Sequence, residues 1–99
     1  MRNMEEIIRI LQADKEGLRK KYGVREIGVF GSYTREEAQQ ESGLDILVEF
    51  EPDADMGLLK FVNMENHLSG ILSVKADLVM KPALKPAIGR RILEEVRYI

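Results

Sequence analysis

Gly31-Ser32, Arg35, Asp45 and Asp77 are the residues whose types and spacing could do chemistry in this chain. Gly31-Ser32 follows residues 25–30, REIGVF, which read as a short strand. A turn at the end of a strand points backbone N–H groups outward, where they favour a phosphate. Gly31 lets a triphosphate come close to the backbone, Ser32 adds a hydroxyl donor, and Arg35 adds a charged fork nearby. Asp45 and Asp77 each lie on an alternating run. In residues 44–50, Leu44, Ile46, Val48 and Phe50 share one face, and Asp45, Leu47 and Glu49 the other. In residues 74–80, Val74, Ala76, Leu78 and Met80 share one face, and Lys75, Asp77 and Val79 the other. If these two strands are neighbours, about 4.8 Å apart, the two carboxylates stand side by side and can share one cation.

The surrounding elements must hold these groups in place. Met4, Ile7, Ile8, Leu11 and Leu18 recur at helical spacing and predict an amphipathic helix over about residues 3–21, closed by a left-handed Gly23. Thr34 with Glu37 three residues on is a capping-box pattern and predicts a short helix there. Asp55 is expected to cap a helix from Met56 to Leu68, with Leu58, Leu59, Phe61, Val62 and Leu68 as its buried stripe and Gly70 as its stop. Pro86 suits the first turn of a last helix, whose apolar edge is Ile88, Ile92, Val96 and Ile99. The order α-β-α-β-α-β-α implies an α+β, two-layer fold: a small mixed sheet with helices on one face and the acids on the more polar opposite face. Residues 1–99 read as a single domain.

Composition narrows the function. Apolar residues are 44% and charged residues 32%, as in an ordinary globular chain. The net charge is −2, so the basic surplus of a dedicated nucleic-acid binder is missing and direct nucleic-acid binding is not expected. Absence of cysteine excludes disulfides, thiolate catalysis and Cys-based zinc sites. No apolar run approaches the roughly 20 residues needed to span a bilayer. The first residues carry acids within their apolar stretch, unlike a signal peptide, so the simplest expected location is the cytoplasm.

The remaining candidates are plainer. His67, the one histidine, has no ligand at i+4 and reads as structural or exposed. The tyrosines do not interleave with basic residues as a base-stacking platform would, though Tyr33 is a candidate for lining a nucleotide pocket. Lys81, Lys85, Arg90 and Arg91 read as a solvated face able to grip a polyphosphate or an acidic partner.

Gly31-Ser32, ten residues, and then a position two before Asp45 resembles the signature of the polymerase-beta-like nucleotidyltransferase superfamily, Gly-Ser, ten residues, Asp-any-Asp. The flanking words VFGSYTR, SGLDILVEF and ADLV match as well, and along its whole length the chain resembles the minimal nucleotidyltransferases, or MNT proteins. The resemblance implies that Gly31, Ser32 and Arg35 bind the nucleotide phosphates. It also implies that Asp45 and Asp77 are catalytic and metal-binding carboxylates, with Mg²⁺ as cofactor and ATP as substrate. Residues i and i+2 of a strand face the same way, so a paired motif can reach one metal. Mg²⁺ is usually held by one or two carboxylates plus substrate phosphates.

The pattern breaks at its centre. Gly43 stands where the first Asp of the pair belongs, and Glu36 replaces the usual glycine after the motif arginine. Glu41 and Glu49 each lie four residues from Asp45, roughly 13 Å along an extended strand, too far to substitute. Three accounts of Gly43 stand open: a natural loss, a deliberate or accidental change, and residual activity on two carboxylates. All three imply weakened or absent transfer. The family implies an antitoxin that neutralises a HEPN-type ribonuclease toxin, by binding and in its relatives by AMP transfer from ATP to a toxin tyrosine; a homodimer is a further possible assembly. A non-catalytic interaction or nucleotide-sensing module is the alternative. A transferase acting on a small molecule is less favoured, because such relatives carry an extra domain for the acceptor.

Overall fold

Asn3 opens the first element by accepting the N–H of Glu6 on its side-chain oxygen at 2.9 Å. In the computed structural model, which describes residues 3–35 and 43–99, helix α1 runs Met4–Tyr22. Glu5 and Glu6 sit at its positive end and Arg19, Lys20 and Lys21 at its negative end, as the helix dipole favours. Gly23 ends it with φ 72°, in the left-handed region the sequence reserved for it, and its N–H reaches the Arg19 carbonyl at 3.0 Å.

Strand β1, Val24–Phe30, runs into a single 3₁₀ turn, Gly31–Tyr33. Strand β2, Leu44–Phe50, pairs with β1 antiparallel, placing Val29 opposite Ile46 and Phe30 opposite Asp45. Helix α2, Leu58–Leu72, carries the chain back so that strand β3, Ala76–Met80, pairs with β2 in parallel. A parallel pair needs such a crossover. After a second 3₁₀ turn, Lys81–Ala83, helix α3 spans Pro86–Glu95 and leads into a two-residue strand β4, Arg97–Tyr98, antiparallel to β1. The sheet order is β3-β2-β1-β4.

Pairing partners share a face, so Ile27, Val29, Leu44, Ile46, Val48, Ala76 and Leu78 all point to one side. There they join Ile7, Leu11 and Leu18 of α1 and Met64, Leu68 and Leu72 of α2 in the core. His67 of α2, expected to be structural or exposed, meets Asp14 of α1 at 2.7 Å (Nε2 to Oδ2), which ties the two helices together.

The opposite face is less polar than expected. Leu47 is 1% exposed and Phe30 8%. Val96 crosses this side next to Gly28, where an added Cβ would come within 2.7 Å of Val96 Cγ2.

Several local expectations are corrected. Helix α2 begins after Gly57, not Asp55, and runs through Gly70. Its buried stripe is Met64, Leu68 and Leu72, while Leu58 and Leu59 are 80% and 76% exposed and Val62 lies on the surface. In the last helix Ile88 is exposed, and Val96 and Ile99 fall beyond its end. The β4 strand was not expected. The capping-box helix lies mostly outside the described residues; Thr34 itself donates its hydroxyl to the Gly31 carbonyl at 2.7 Å.

Candidate functional site

The end of β1 and the starts of β2 and β3 meet at one end of the sheet, and all five candidate residues gather there. Gly31 leaves β1 with φ 84°, a left-handed conformation that a side chain would strain. It also lies against a neighbour: a Cβ on Gly31 would overlap the Asp45 carboxylate. Glycine is therefore required twice over, by the turn and by the acid packed on it. Ser32 follows in the same turn, half-buried.

Asp45 and Asp77 are direct partners in the parallel β2–β3 register, on the face away from the core. Burial pushes the Asp45 carboxyl above its ordinary range, and the nearby charge of Asp77 pushes it further. Arg35 pulls it down, and Glu95 adds to the rise. Two adjacent carboxylates that repel each other suit a hard divalent cation. Among the described residues no group of three or more His, Cys, Asp or Glu gathers around a metal position. Asp45 and Asp77 are thus a pair of adjacent carboxylates that could share such an ion.

Position 43 opens directly onto this pair. A Cβ there would come within 2.6 Å of Asp77 Oδ2, with the Lys75 carbonyl at 3.5 Å. The Gly43 backbone has no left-handed φ. A side chain at 43 would thus point at the Asp77 carboxylate, where the signature places its first Asp.

Glu95, at the end of α3, was not singled out by sequence reasoning. Its Oε2 accepts the Gly31 N–H at 2.6 Å, and both carboxylate oxygens accept from Arg35, at 3.0 and 3.1 Å. One signal pointed to it. Glu94 and Glu95 occupy the last turn of a helix with no basic residue there, the end where the dipole disfavours acids. Acids in that place need a partner elsewhere.

Arg35 consequently lies against Glu95, with its side chain 41% exposed. Tyr33, the candidate for lining a nucleotide pocket, is buried among the core residues. Lys81 pairs with Glu26 at 3.0 Å and lies over the Tyr98 ring at 5.3 Å. With Lys85 and Arg90 it borders an open groove of about 500 Å³ beside α3, lined by neither Asp45 nor Asp77.

Residues 12–99 match the family described as the nucleotidyltransferase domain, and the chain belongs to that family. It is similar to the protein adenylyltransferase MntA of Thermococcus cleftensis, 50% identical over 99 residues covering 100% of this chain and 98% of MntA. A solved structure assigned to the minimal nucleotidyltransferases superposes with a TM-score of 0.75 at 33% identity, covering 93% of this chain and 92% of that one. The fold is that of the minimal nucleotidyltransferases. The structure of a tri-AMPylated HEPN toxin of Shewanella oneidensis in complex with MNT antitoxin shares the fold, with a TM-score of 0.58 at 17% identity over 95% of this chain and 66% of that one. Among the described residues no helix is long and apolar enough to cross a membrane.

Proposed function

We propose that this chain is an MNT-type antitoxin of the cytoplasm that neutralises a HEPN ribonuclease toxin chiefly by binding it. AMP transfer from ATP to a toxin tyrosine is weakened or lost in this chain. The observation that carries the reading is position 43. It faces Asp77 beside Asp45 and the Gly31 turn, yet a glycine with no oxygen to offer stands there. The similarity to MntA and the shared fold with an antitoxin that accompanies a HEPN toxin support the partner class.

Each residue has a part in the chemistry that relatives would perform. The Gly31 N–H and the Ser32 hydroxyl hold phosphate oxygens. Asp45 and Asp77 would hold Mg²⁺, which would neutralise charge on the triphosphate. Asp77, on its own strand, accepts the proton of the attacking hydroxyl. Arg35 contributes charge toward the phosphates. Without a carboxylate at 43 only two acids would hold the ion, and loss of a charged group that meets the transition state commonly costs about 10²–10³ in rate.

A binding role also fits the surface. Leu58, Leu59 and Val62 on α2 form an exposed apolar face of the kind a protein partner covers, the toxin or a second copy. The alternative, a nucleotide-sensing or interaction module without chemistry, is separated by direct tests. Mg²⁺-ATP is titrated calorimetrically into the chain and into Gly43→Asp, and labelled AMP transfer to a co-expressed HEPN toxin is followed for both. Toxin binding by both, with transfer confined to Gly43→Asp, supports the proposal. Failure of either chain to bind a HEPN toxin overturns it in favour of the module.

A further inference from the structure

Glu95 brings a carboxylate from the C-terminal helix to the groups that the proposed function assigns to the nucleotide. Its oxygens take the Gly31 amide at 2.6 Å and the Arg35 guanidinium at 3.0 and 3.1 Å, and Oε2 lies 3.5 Å from the Thr34 hydroxyl. A backbone N–H at a tight turn and a guanidinium fork form a donor set suited to an anionic oxygen, while the Thr34 hydroxyl gives its proton to the Gly31 carbonyl at 2.7 Å. The carboxylate is mostly shielded, its side chain 20% exposed, so solvent competes weakly for these bonds.

We propose that Glu95 is an internal anion seated in the phosphate position, which an incoming nucleotide phosphate must replace, so that this residue sets nucleotide affinity. The inference rests on the reading of the Gly31 turn as the phosphate site. The chemistry is an exchange of anions. Before binding, Glu95 satisfies the Gly31 N–H and Arg35. A phosphate oxygen then takes those donors, and the partly exposed Glu95 side chain at the helix end swings toward solvent. No bond is made or broken. The charge of Glu95 matters more than its hydrogen-bond capacity, because glutamine keeps an acceptor oxygen for the Gly31 amide but gives up the ionic hold on Arg35.

The test uses Glu95→Gln and inorganic tripolyphosphate, a probe that carries the phosphates without base or sugar, alongside Mg²⁺-ATP. Charge-assisted bonds to a partly exposed pair predict that Glu95→Gln tightens tripolyphosphate and Mg²⁺-ATP binding by about three- to tenfold. The Gly31 amide resonance, followed by NMR, should move on substitution and move again on adding the probe. A second variant, Arg35→Gln in the Glu95→Gln background, should remove much of the gain. Equal binding by the native chain and Glu95→Gln overturns the role of Glu95 while leaving the phosphate site in place. Weaker binding by a folded Glu95→Gln overturns it also, and makes Glu95 a brace for the turn. If no variant binds either probe and the Gly31 amide never responds, the phosphate-site reading fails and this inference fails with it. A thermal melt of each variant separates loss of binding from loss of fold.

Discussion

Restoring an acid at position 43 should make the stability of this chain depend on magnesium. A Cβ at 43 lies 2.6 Å from Asp77 Oδ2, and the neighbour is the far end of a side chain that can turn aside, so Gly43→Asp is sterically tolerable. The position has no positive φ, so the backbone accepts an L-residue without strain. The cost is electrostatic. A third carboxylate joins two that already repel, one of them with its proton affinity raised. Two like charges about 5 Å apart at an effective dielectric of about 20 repel by roughly 3 kcal/mol, and solvent at this sheet end reduces the net cost to about 1–2 kcal/mol. For a domain of this size that lowers Tm by roughly 5–15 °C in EDTA. Mg²⁺ at a hundred times its Kd returns about 2.7 kcal/mol, enough to reverse the loss. Differential scanning calorimetry across a magnesium titration reads both effects. Gly43→Asn, the same size without charge, should melt near the native chain in EDTA and respond little to magnesium. If Gly43→Asp melts like the native chain in EDTA and magnesium leaves it unmoved, the side chain at 43 does not face Asp77, and the vacated-ligand account falls.

Further outcomes follow from the same geometry. The folded-state pKa of Asp45 is raised, so between the ordinary Asp range and that raised value the folded chain holds a proton the unfolded chain has lost; stability therefore falls as pH climbs through that window. Asp45→Asn should raise the metal-free Tm at neutral pH and change little below the ordinary Asp range. In a carboxyl-carbon NMR titration, Asp77→Asn should bring the Asp45 pKa down only in part, because burial is the larger cause. Gly31→Ala combines a left-handed φ with overlap on the Asp45 carboxylate and should cost about 2–3 kcal/mol by chemical denaturation, and a change under 0.5 kcal/mol would contradict the packing described. Leu68→Ala, a fully buried side chain between sheet and helix α1, should cost about 2–5 kcal/mol with an unchanged m-value.

Where the sequence carried a local signal, it could be read. The left-handed Gly23 and the alternation of β2 each follow from a few adjacent residues, whereas the pairing of Asp45 with Asp77 was legible only on the condition that β2 and β3 are neighbours, which they are. The stripe of α2 was read only in part, with Leu68 buried and Phe61 packed against the core as expected but Leu58, Leu59 and Val62 exposed, because periodicity shows which residues share a helix face, not which face the sheet accepts. Leu58 and Leu59 lie in the first turn, yet the continuous i, i+4 series Met64, Leu68, Leu72 is the one that docks. Strand β4 is two residues long, too short for alternation to announce it. Glu95 reaches Gly31 across 64 positions, and a contact of that separation leaves no trace in local pattern beyond two acids at the unfavourable end of a helix.

Strand β3 lies at the border of the sheet, and two of its outward amides are covered by α2. The Ala76 N–H donates to Ser69 Oγ at 2.9 Å and the Leu78 N–H to Glu65 Oε2 at 3.1 Å, both from α2. At the other border, β4 covers β1 at Gly28 and Val29. A sheet blunted on both margins offers little purchase for strand addition, whether by a partner peptide or by another unfolded copy during synthesis. A protein partner would instead meet side chains, and the exposed leucines of α2 offer it an apolar foothold.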